Sequence, residues 1–340
     1  MGRLENTFQG ANCFVPVGKA ADDGTVFEIY VTPGFCNFEH AQIVHTLRVA
    51  NSLLKQPLFS WRCVADASGF VKSVGDVIVE AEMALDDVIS PHTMIVVGGV
   101  TGERPNWMRR VRTMRRKALP VVLLSDAATS YIKQSSTSGN VTTHWRDALQ
   151  LTEEGNHPNL TNRFSEKSNG VITAAGGAAT AELIIGLIAQ YLTSPQVAEL
   201  GNQLLLHTIR KSDAEQPKFI ADNASLFDLQ ITQAIRVMEE NIVEPLQVSE
   251  LAEQVGVSTR HLERAFRTAF SDSPARFYKR IRTKQAKAMI EETLLPLVEV
   301  AVATGFASIC AMSKTVRDEY GASPSKMRDR KKIRLLTFAE

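Results

Sequence analysis

The sequence predicts an α/β domain followed by an all-α domain, and two observations carry this prediction. From Phe27 onward, short apolar segments with the character of buried strands alternate with segments of helical periodicity. Near-continuous apolar strands that alternate with helices are typical of a parallel sheet covered by helices on both faces. Between Leu251 and Pro324, by contrast, one short helical pattern occurs twice. The chain has 340 residues, which is enough for two such domains.

The two copies of the repeated pattern align residue by residue. Before the turn, Gly256 matches Gly305 at a spacing of 49 residues, and after it Ser258 matches Ser308 at a spacing of 50. One turn is therefore one residue longer than the other. A glycine can adopt the left-handed conformation that ends a helix, and a serine hydroxyl can cap the helix that follows. Each copy therefore predicts a helix-turn-helix motif, and the two motifs form the all-α domain.

The second helix of the first copy has one apolar face and one polar face. Leu262, Phe266 and Phe270 recur four residues apart, which places them on the buried side. Arginine side chains on the opposite side can donate paired hydrogen bonds to guanine edges or to phosphates. The residues of this copy that we predict to contact DNA are Ser258, Thr259, Arg260, Glu263, Arg264 and Arg267.

The second copy carries an unusual set of side chains at the same positions. The residues that we predict to contact DNA there are Ser308, Ile309, Ala311, Lys314 and Arg317. Ile309 and Ala311 cannot make bidentate contacts with bases, although apolar groups can pack on thymine methyls. Lys314 and Arg317 suit phosphates, which position a protein without specifying sequence. We therefore expect weaker base recognition by the second copy.

A single helix from Pro274 to Thr293 is predicted between the two copies. Proline suits the first turn of a helix, and 20 residues would span about 30 Å, close to one turn of B-DNA. The two recognition helices would then enter successive major grooves. From Ser258 to Lys287 there are nine Lys and Arg residues against two acids, although the whole chain has a net charge of +1. This concentration of positive charge favours binding to phosphates; a plain helical bundle with basic faces would not explain the repeat.

The C-terminal region resembles the DNA-binding domain of AraC/XylS-family transcription regulators. The resemblance covers about 100 residues, and its second half, GF-x-S followed by YGASP, corresponds to the most characteristic segment of that family. It implies double-stranded DNA and RNA polymerase as partners. Family members usually occupy paired sites as dimers, so the resemblance also implies a homodimer formed through the α/β domain. We expect an activator.

The N-terminal half resembles the PfpI and class I glutamine-amidotransferase-like fold, and the combination of both halves resembles the GlxA-type branch of AraC regulators. The motifs that carry the resemblance are PGF at 33–35, LRVAN at 47–51, VVGG at 96–99, TTHW at 142–145 and ITAAGG at 172–177. The resemblance implies a domain that senses a small-molecule effector. Regulators of this branch often control the catabolism of small nitrogenous metabolites, such as arginine, carnitine or glycine betaine.

The ligand site of an open α/β sheet lies at the carboxyl ends of its strands. The residues that this rule collects, and that we predict to bind the ligand, are Gly34, Phe35, Gly98, Gly99, Ser125, Asp126, His144, Gly176 and Gly177. The glycines would let the backbone approach a ligand, and a helix N-terminus near Ala178 favours anionic groups. Each of these residues could equally be present only because the conformation of its turn requires it.

Ser125 occupies the position that decides between a sensor and an enzyme. The hydrolases that this half resembles carry a cysteine on a strained turn. When the sequences are aligned from Pro120, Ser125 occupies that position here. A serine needs an adjacent base to become nucleophilic, and His144 is a candidate, but no acid is identifiable by spacing. We therefore predict a sensor without catalytic residues, cofactor or metal. The alternatives are a DNA-tethered, Ser125-dependent amidase or hydrolase, and an architectural DNA binder, which the glycine-lined cleft disfavours.

The predicted domain boundaries follow from these motifs and from a polar, proline-containing segment after Arg210. They are a flexible arm (1–24), an α/β sensor and dimerisation domain (25–210), a linker (211–222), a DNA-binding domain (223–330) and a basic tail (331–340). The four cysteines are scattered, without metal-type spacing. No long apolar segment or secretory signal occurs. We therefore expect a reduced, cytoplasmic protein that does not contact a membrane.

Overall fold

The computed structural model describes residues 24–55, 57–84, 93–99, 105–135, 138–153, 159–218, 220, 222, 227–293 and 295–328. The predicted basic tail, and the predicted arm apart from Gly24, lie outside the described residues, as does part of the predicted linker. The chain divides into two compact units: 1–144 together with 159–214, and 145–158 together with 215–340. The predicted domain boundaries stay predictions.

A sheet of eight strands forms the centre of the described part of the first unit. The strands are β1 (Thr25–Val31), β2 (Phe59–Ala65), β3 (Gly69–Lys72), β4 (Ile78–Met83), β5 (Thr93–Val97), β6 (Val121–Leu124), β7 (Ser165–Ser168) and β8 (Val171–Ala174). Their order is β3-β4-β2-β1-β5-β6-β8-β7. In this order, the six inner strands (β4, β2, β1, β5, β6 and β8) are parallel. The two outer strands, β3 and β7, each run antiparallel to their neighbour.

Helices cover both faces of this sheet, as the sequence predicts. They are α1 (Asn37–Leu53), α2 (Trp107–Arg116), α3 (Ser125–Gln134), α5 (Thr180–Ile188) and α6 (Ser194–Gln203); α4 (Trp145–Glu153) belongs to the second unit. Alternate strand residues point to opposite faces. Ile29 accordingly packs in the cluster that contains α1 and α5, whereas its neighbour Tyr30 packs in the cluster that contains α2 and α3.

The antiparallel edge strands are the main departure from the predicted parallel sheet. β3 and β7 have four residues each, and both belong to hairpins with the strand that follows. Half of the residues of such a strand are polar or exposed, so its sequence lacks the continuous apolar run of a buried strand. For this reason β3 was not predicted from the sequence.

The second unit is helical and has two small cores joined by one long helix. Its remaining helices are α7 (Leu229–Glu240), α8 (Val248–Val255), α9 (Thr259–Phe270), α10 (Pro274–Glu292), α11 (Leu297–Ala303) and α12 (Ile309–Tyr320). α10 contributes Ile281 to the core of the first helix-turn-helix motif and Ile290 to the core of the second. The predicted connecting helix is therefore confirmed, and it ends one residue early.

Two segments near the unit boundaries depart from simple expectation. α4 belongs to the second unit, where the Trp145 N–H donates to Oε1 of Gln216 at 2.9 Å, although the predicted range 25–210 includes this helix. The start of the predicted linker is attached to the first unit: the Phe164 N–H donates to the carbonyl oxygen of Ala214 at 2.9 Å. Arg210, directly before the linker, forms an ion pair with the buried Glu182 of α5.

The predicted turn chemistry is confirmed in both helix-turn-helix motifs. Gly256 and Gly305 have φ angles of 74° and 66°, in the left-handed region. The Ser258 hydroxyl accepts from the His261 N–H at 3.2 Å, and the Ser308 hydroxyl accepts from the Ala311 N–H at 3.1 Å. None of the helices in the described ranges is long and apolar enough to cross a membrane.

Alanine substitutions at the two turn glycines should differ in cost. Gly256→Ala should destabilise the helical unit by about 1–2 kcal/mol, the strain of a left-handed alanine, since no atom lies within 4 Å of the added Cβ. Gly305→Ala adds overlap with the carbonyl oxygen of Ile242 and the ring of Pro245, so its loss should be larger. Urea unfolding of both variants measures the difference, and equal losses would contradict the assigned packing.

Candidate functional site

The first recognition helix, α9, separates its buried and exposed residues as the sequence predicts. Leu262 and Phe266 are buried in the core of the first motif. The predicted DNA contacts, which are all exposed, are Ser258, Thr259, Arg260, Glu263, Arg264 and Arg267. Except for Thr259, they line a concavity of about 600 Å³ together with His261 and Thr268. The structure thus gathers three arginines on one accessible surface, while their contact with DNA stays a prediction.

His261 is a residue of this surface that the sequence analysis missed. Its Nε2 lies 2.8 Å from Oε1 of Gln230 on α7, and its Nδ1 lies 3.4 Å from Nη2 of Arg264. The imidazole therefore connects α7 to the predicted base-contacting arginine. The spacing of three residues between His261 and Arg264 was a usable signal, because residues three apart on a helix are neighbours.

The second recognition helix, α12, has a less polar exposed face. Met312 and Val316 are buried in the core of the second motif. The predicted DNA contacts of this copy, Ser308, Ile309, Ala311, Lys314 and Arg317, are all exposed. Ile309 is an apolar side chain in the first turn, where α9 carries Thr259 and Arg260. This surface offers cations for phosphates and apolar groups for thymine methyls.

The predicted ligand-binding residues of the first unit lie at neighbouring strand ends. A Cβ on Gly99 would contact the backbone of Gly34 and Phe35, and a Cβ on Gly98 would contact the backbone of Asp126 and Ala127. A Cβ on Gly176 would overlap the side chain of Ser125. The Thr143 hydroxyl donates to the carbonyl oxygen of Ser125 at 3.0 Å, and His144, the next residue, is half-buried. The structure therefore brings all nine predicted residues to one edge of the sheet.

The glycines at this edge of the sheet differ in whether other atoms occupy the space of an added side chain. At Gly98, Gly99 and Gly176, the space of a side chain is occupied by other atoms of the protein. At Gly177, no atom lies within 4 Å of an added Cβ. Packing between loops thus explains the first three glycines, and Gly177 faces open space. A role in ligand binding stays a prediction for each.

Ser125 stands on a strained turn, and an acid lies against it. Its φ angle of 41° is in the region that favours glycine. Its hydroxyl is hydrogen-bonded to Oε1 of Glu39 and lies 2.9 Å from the carbonyl oxygen of Ala175. The Gly177 N–H donates to the same Glu39 oxygen at 2.8 Å. Glu39 was not predicted as a site residue, because 86 residues separate it from Ser125 in the chain.

Glu39 is buried, with only 1% of the residue exposed, and this burial affects its protonation. Desolvation raises the pKa of this carboxyl above its usual value, and hydrogen bonds from Ser125 and Gly177 oppose the shift. Oε2 has no hydrogen-bond partner among the described residues. The single hydroxyl proton of Ser125 has two acceptors within reach, Oε1 of Glu39 and the carbonyl oxygen of Ala175. A protonated acid cannot accept the proton of Ser125.

A second polar pair joins α1 to β2. His40 Nε2 is 3.1 Å from Sγ of Cys63. Burial lowers the pKa of His40 and raises the pKa of Cys63 and of Cys36. The shifts favour the neutral forms of His40 and Cys63. Thiols with raised pKa values are poor nucleophiles. Among the residues that the structure describes, no three or more His, Cys, Asp or Glu side chains form a group that could hold a metal ion.

Comparisons with known proteins agree with this arrangement. Residues 251–330 match the family model described as "Helix-turn-helix domain". The transcriptional regulator CdhR of Pseudomonas aeruginosa is 29% identical over 310 residues, which cover 89% of this chain and 91% of the relative. GlxA of Rhizobium meliloti is 26% identical over 307 residues, which cover 87% and 93%. A solved AraC family transcriptional regulator from Pseudomonas putida is 14% identical, covering 53% of this chain and 99% of that one, with a TM-score of 0.46.

The tandem helix-turn-helix motifs and the family match define a DNA-binding transcription regulator. Its helix-turn-helix domain is of the AraC type, and an α/β domain with a largely parallel sheet precedes it. The chain is thus similar over nearly its whole length to regulators of the GlxA type. The resemblance that the sequence motifs indicated is confirmed.

The pH dependence of stability should report the buried acid. Because the pKa of Glu39 is raised in the folded state, its favourable contribution is present below its unfolded pKa and is lost as pH rises through the folded pKa. Glu39→Gln keeps an acceptor for Gly177 and cannot ionise. The stability of this variant should therefore fall less than that of wild type as pH rises. Thermal unfolding across pH 4–8 measures it. Glu39→Ala, the control, should be less stable at every pH; identical pH profiles for wild type and Glu39→Gln would refute a raised pKa.

Proposed function

We propose that this regulator senses a small metabolite in a catalytically inactive cleft and acts as a cytoplasmic homodimer on paired operator sites. In this proposal it activates transcription through contact with RNA polymerase. The observation that carries the sensor assignment is the hydrogen-bonded state of Ser125, whose hydroxyl faces a buried acid. In vitro transcription from a promoter with its operator tests activation, and a fall in transcript on adding the protein would indicate a repressor instead.

The chemistry around Ser125 supports the proposed absence of catalysis. A serine hydroxyl becomes nucleophilic when an adjacent base removes its proton. Burial favours the protonated form of Glu39, and that form cannot serve as a base. The two hydrogen-bond partners of the Ser125 hydroxyl are Glu39 and Ala175, so His144 does not take the position of the base.

A Ser125-dependent hydrolase is the second candidate function, and one observation favours it. Ser125 combines a positive φ angle with an adjacent carboxyl group, which is the placement of an activated nucleophile. For this reaction, however, Glu39 would have to be ionised when substrate binds. We therefore rank the hydrolase second.

The effector is proposed to be a small nitrogenous metabolite. The exposed carboxylate of Asp126 lies at the cleft, beside Gly98. A carboxylate can form a charge-assisted hydrogen bond with an ammonium or guanidinium group. Calorimetric titration with arginine, carnitine and glycine betaine tests this class, and Asp126→Asn should weaken binding of the cation that responds.

Recognition of DNA is proposed to depend mainly on α9. Arg260, Arg264 and Arg267 lie on the same exposed surface as the N-terminal turn of that helix. An arginine can bind the O6 and N7 atoms of guanine with two hydrogen bonds. α12 presents Ile309 and Ala311 at the corresponding place, so its contribution is proposed to be chiefly contact with phosphates through Lys314 and Arg317.

Loss of an α9 arginine should weaken operator binding. Arg260→Ala or Arg264→Ala should cost about 1–3 kcal/mol and relax specificity at one base position if the side chain contacts a base. A phosphate contact would instead weaken binding to all sequences alike and flatten the salt dependence. Arg236→Ala is the matched control, because Arg236 is an exposed arginine of α7 outside the concavity. Fluorescence anisotropy at several salt concentrations measures each effect. Unchanged binding in both α9 variants would refute the assigned surface.

Removal of the Ser125 hydroxyl should not change DNA binding. Ser125→Ala deletes one hydrogen bond in the cleft and no part of the recognition helices, so operator affinity and transcriptional response should stay near those of wild type. The decisive assay is hydrolysis of amide and ester substrates. Turnover by wild type that vanishes in Ser125→Ala would establish the hydrolase.

A further inference from the structure

The three arginines of the α9 concavity differ in how their side chains are held. Arg260, Arg264 and Arg267 all line the concavity, and all are exposed. Nη2 of Arg264 lies 3.4 Å from Nδ1 of His261. In the part of the chain that the structure describes, neither Arg260 nor Arg267 forms a side-chain hydrogen bond or ion pair. Arg264 thus differs from the other two arginines, because a neighbouring side chain orients its guanidinium group.

The directions of the hydrogen bonds determine the form of the imidazole ring. A guanidinium group has only donors, so Nδ1 of His261 must accept from Arg264. In a neutral imidazole the other nitrogen then carries the proton. That nitrogen, Nε2, therefore donates to Oε1 of Gln230 at 2.8 Å. The three side chains form one chain of hydrogen bonds that runs from α7 to the end of Arg264.

Both helices that hold the imidazole ring are anchored in the core of the first motif. Ile231, the residue after Gln230, is buried in the same cluster as Leu262, the residue after His261. The His261 N–H also donates to the hydroxyl of Ser258 at 3.2 Å. The ring itself is half-buried. It therefore has a defined position relative to the exposed face of α9.

We propose that His261 is a positioning residue that orients Arg264 for contact with a base, and that Gln230 holds His261 in the required tautomer. This inference rests on the proposed recognition of DNA by α9, and it assigns the residues that prepare one of the base contacts. A free arginine side chain has many rotamers, and ordering a long side chain on binding opposes association. A guanidinium group that is oriented before DNA arrives loses less freedom when it binds.

The bond to His261 leaves enough donors on Arg264 for a base. The guanidinium group has five N–H donors, and the contact with Nδ1 uses one of them. Recognition of the O6 and N7 atoms of guanine needs two. A separation of 3.4 Å is long for a hydrogen bond. The imidazole therefore orients the guanidinium group without preventing its contact with DNA.

Arg260 provides a comparison within the same surface. It lines the concavity with Arg264, and no side chain of the described residues is bonded to its guanidinium group. Loss of the imidazole should therefore affect recognition by Arg264 and leave recognition by Arg260 unchanged. If His261 itself held a phosphate, its loss would weaken binding to all sequences alike, because phosphate contacts carry no sequence information.

Operators with single base changes test the proposal on the full-length protein. Arg264→Ala and Arg260→Ala first identify the base position at which each arginine contributes preference. His261→Ala should lower the preference at the Arg264 position about two- to tenfold, the effect of ordering one long side chain. The preference at the Arg260 position should not change. Equal loss at both positions, loss on all sequences alike, or no loss at the Arg264 position would each overturn the proposal.

Two further substitutions separate the acceptor of the imidazole from its volume. His261→Asn places an amide oxygen near the position of Nδ1 and so keeps an acceptor for Arg264. His261→Leu keeps the bulk of the side chain and removes the acceptor. His261→Asn should retain most of the preference at the Arg264 position, and His261→Leu should lose it. With native circular dichroism of both variants, equal preference in the two would overturn the role of Nδ1.

A double-mutant cycle tests whether His261 acts through Arg264. The effects of His261→Ala and Arg264→Ala on operator affinity should not add, because the imidazole has nothing to orient once the guanidinium group is gone. The effects of His261→Ala and Arg260→Ala should add. Additive effects in the first pair would overturn the positioning role.

Nitrogen NMR of the free protein separates a failure of this inference from a failure of the proposed function. The imidazole of His261 should carry its proton on Nε2 in wild type. Gln230→Met should shift it toward a mixture of tautomers, whereas Gln233→Met, at an exposed glutamine of the same helix, should not. A ring that is insensitive to Gln230→Met would overturn the proposed chain of bonds.

The operator measurements complete this separation. Loss of specificity in Arg264→Ala without any loss in His261→Ala would retain the proposed recognition by α9 and overturn the positioning role. Unchanged specificity in Arg264→Ala would refute that recognition and the positioning role with it, even where NMR shows the expected tautomer.

Discussion

The first unit depends on the buried carboxyl group of Glu39. Its Oε1 atom meets the Ser125 hydroxyl and the Gly177 N–H, so one group on α1 joins the turn after β6 to the turn after β8. An ionised carboxylate would lose much hydration at this depth, whereas a neutral one satisfies both turns. Burial raises the pKa of this carboxyl and so disfavours the ionised form that could act as a base for Ser125.

Features governed by residues close in the sequence were predictable. The glycine and serine of each turn, and the helix that begins at Pro274, follow from local backbone conformation and capping. The recognition helices followed from apolar residues four apart, because the buried face of a helix is fixed by its period. The exposed face then carried the predicted DNA contacts without any knowledge of tertiary structure.

Features governed by distant contacts were not predictable in the same way. Glu39 meets Ser125 only after the parallel sheet aligns their strand ends, and nothing in either local sequence indicates the partner. β3 was not predicted, because a four-residue edge strand has no long apolar run. α4 belongs to the helical unit through contacts such as the bond from Trp145 to Gln216, which join segments about 70 residues apart. The carboxyl-end rule is a property of the topology, so the nine residues could be grouped from the sequence, and their role in ligand binding stays a prediction.

The two halves of the chain set different requirements for regulation. Each recognition helix is supported by its own small core, so its exposed face is formed without a ligand. A ligand in the cleft can change occupancy only if it binds one arrangement of the protein more tightly than another. The loop of Gly34 and Phe35 is bonded to the hairpin of β3 and β4. Changes at that loop would therefore reach the hairpin of β3 and β4 through these bonds. Because joining two binding units raises affinity through effective concentration, control of pairing is sufficient to control occupancy of paired sites.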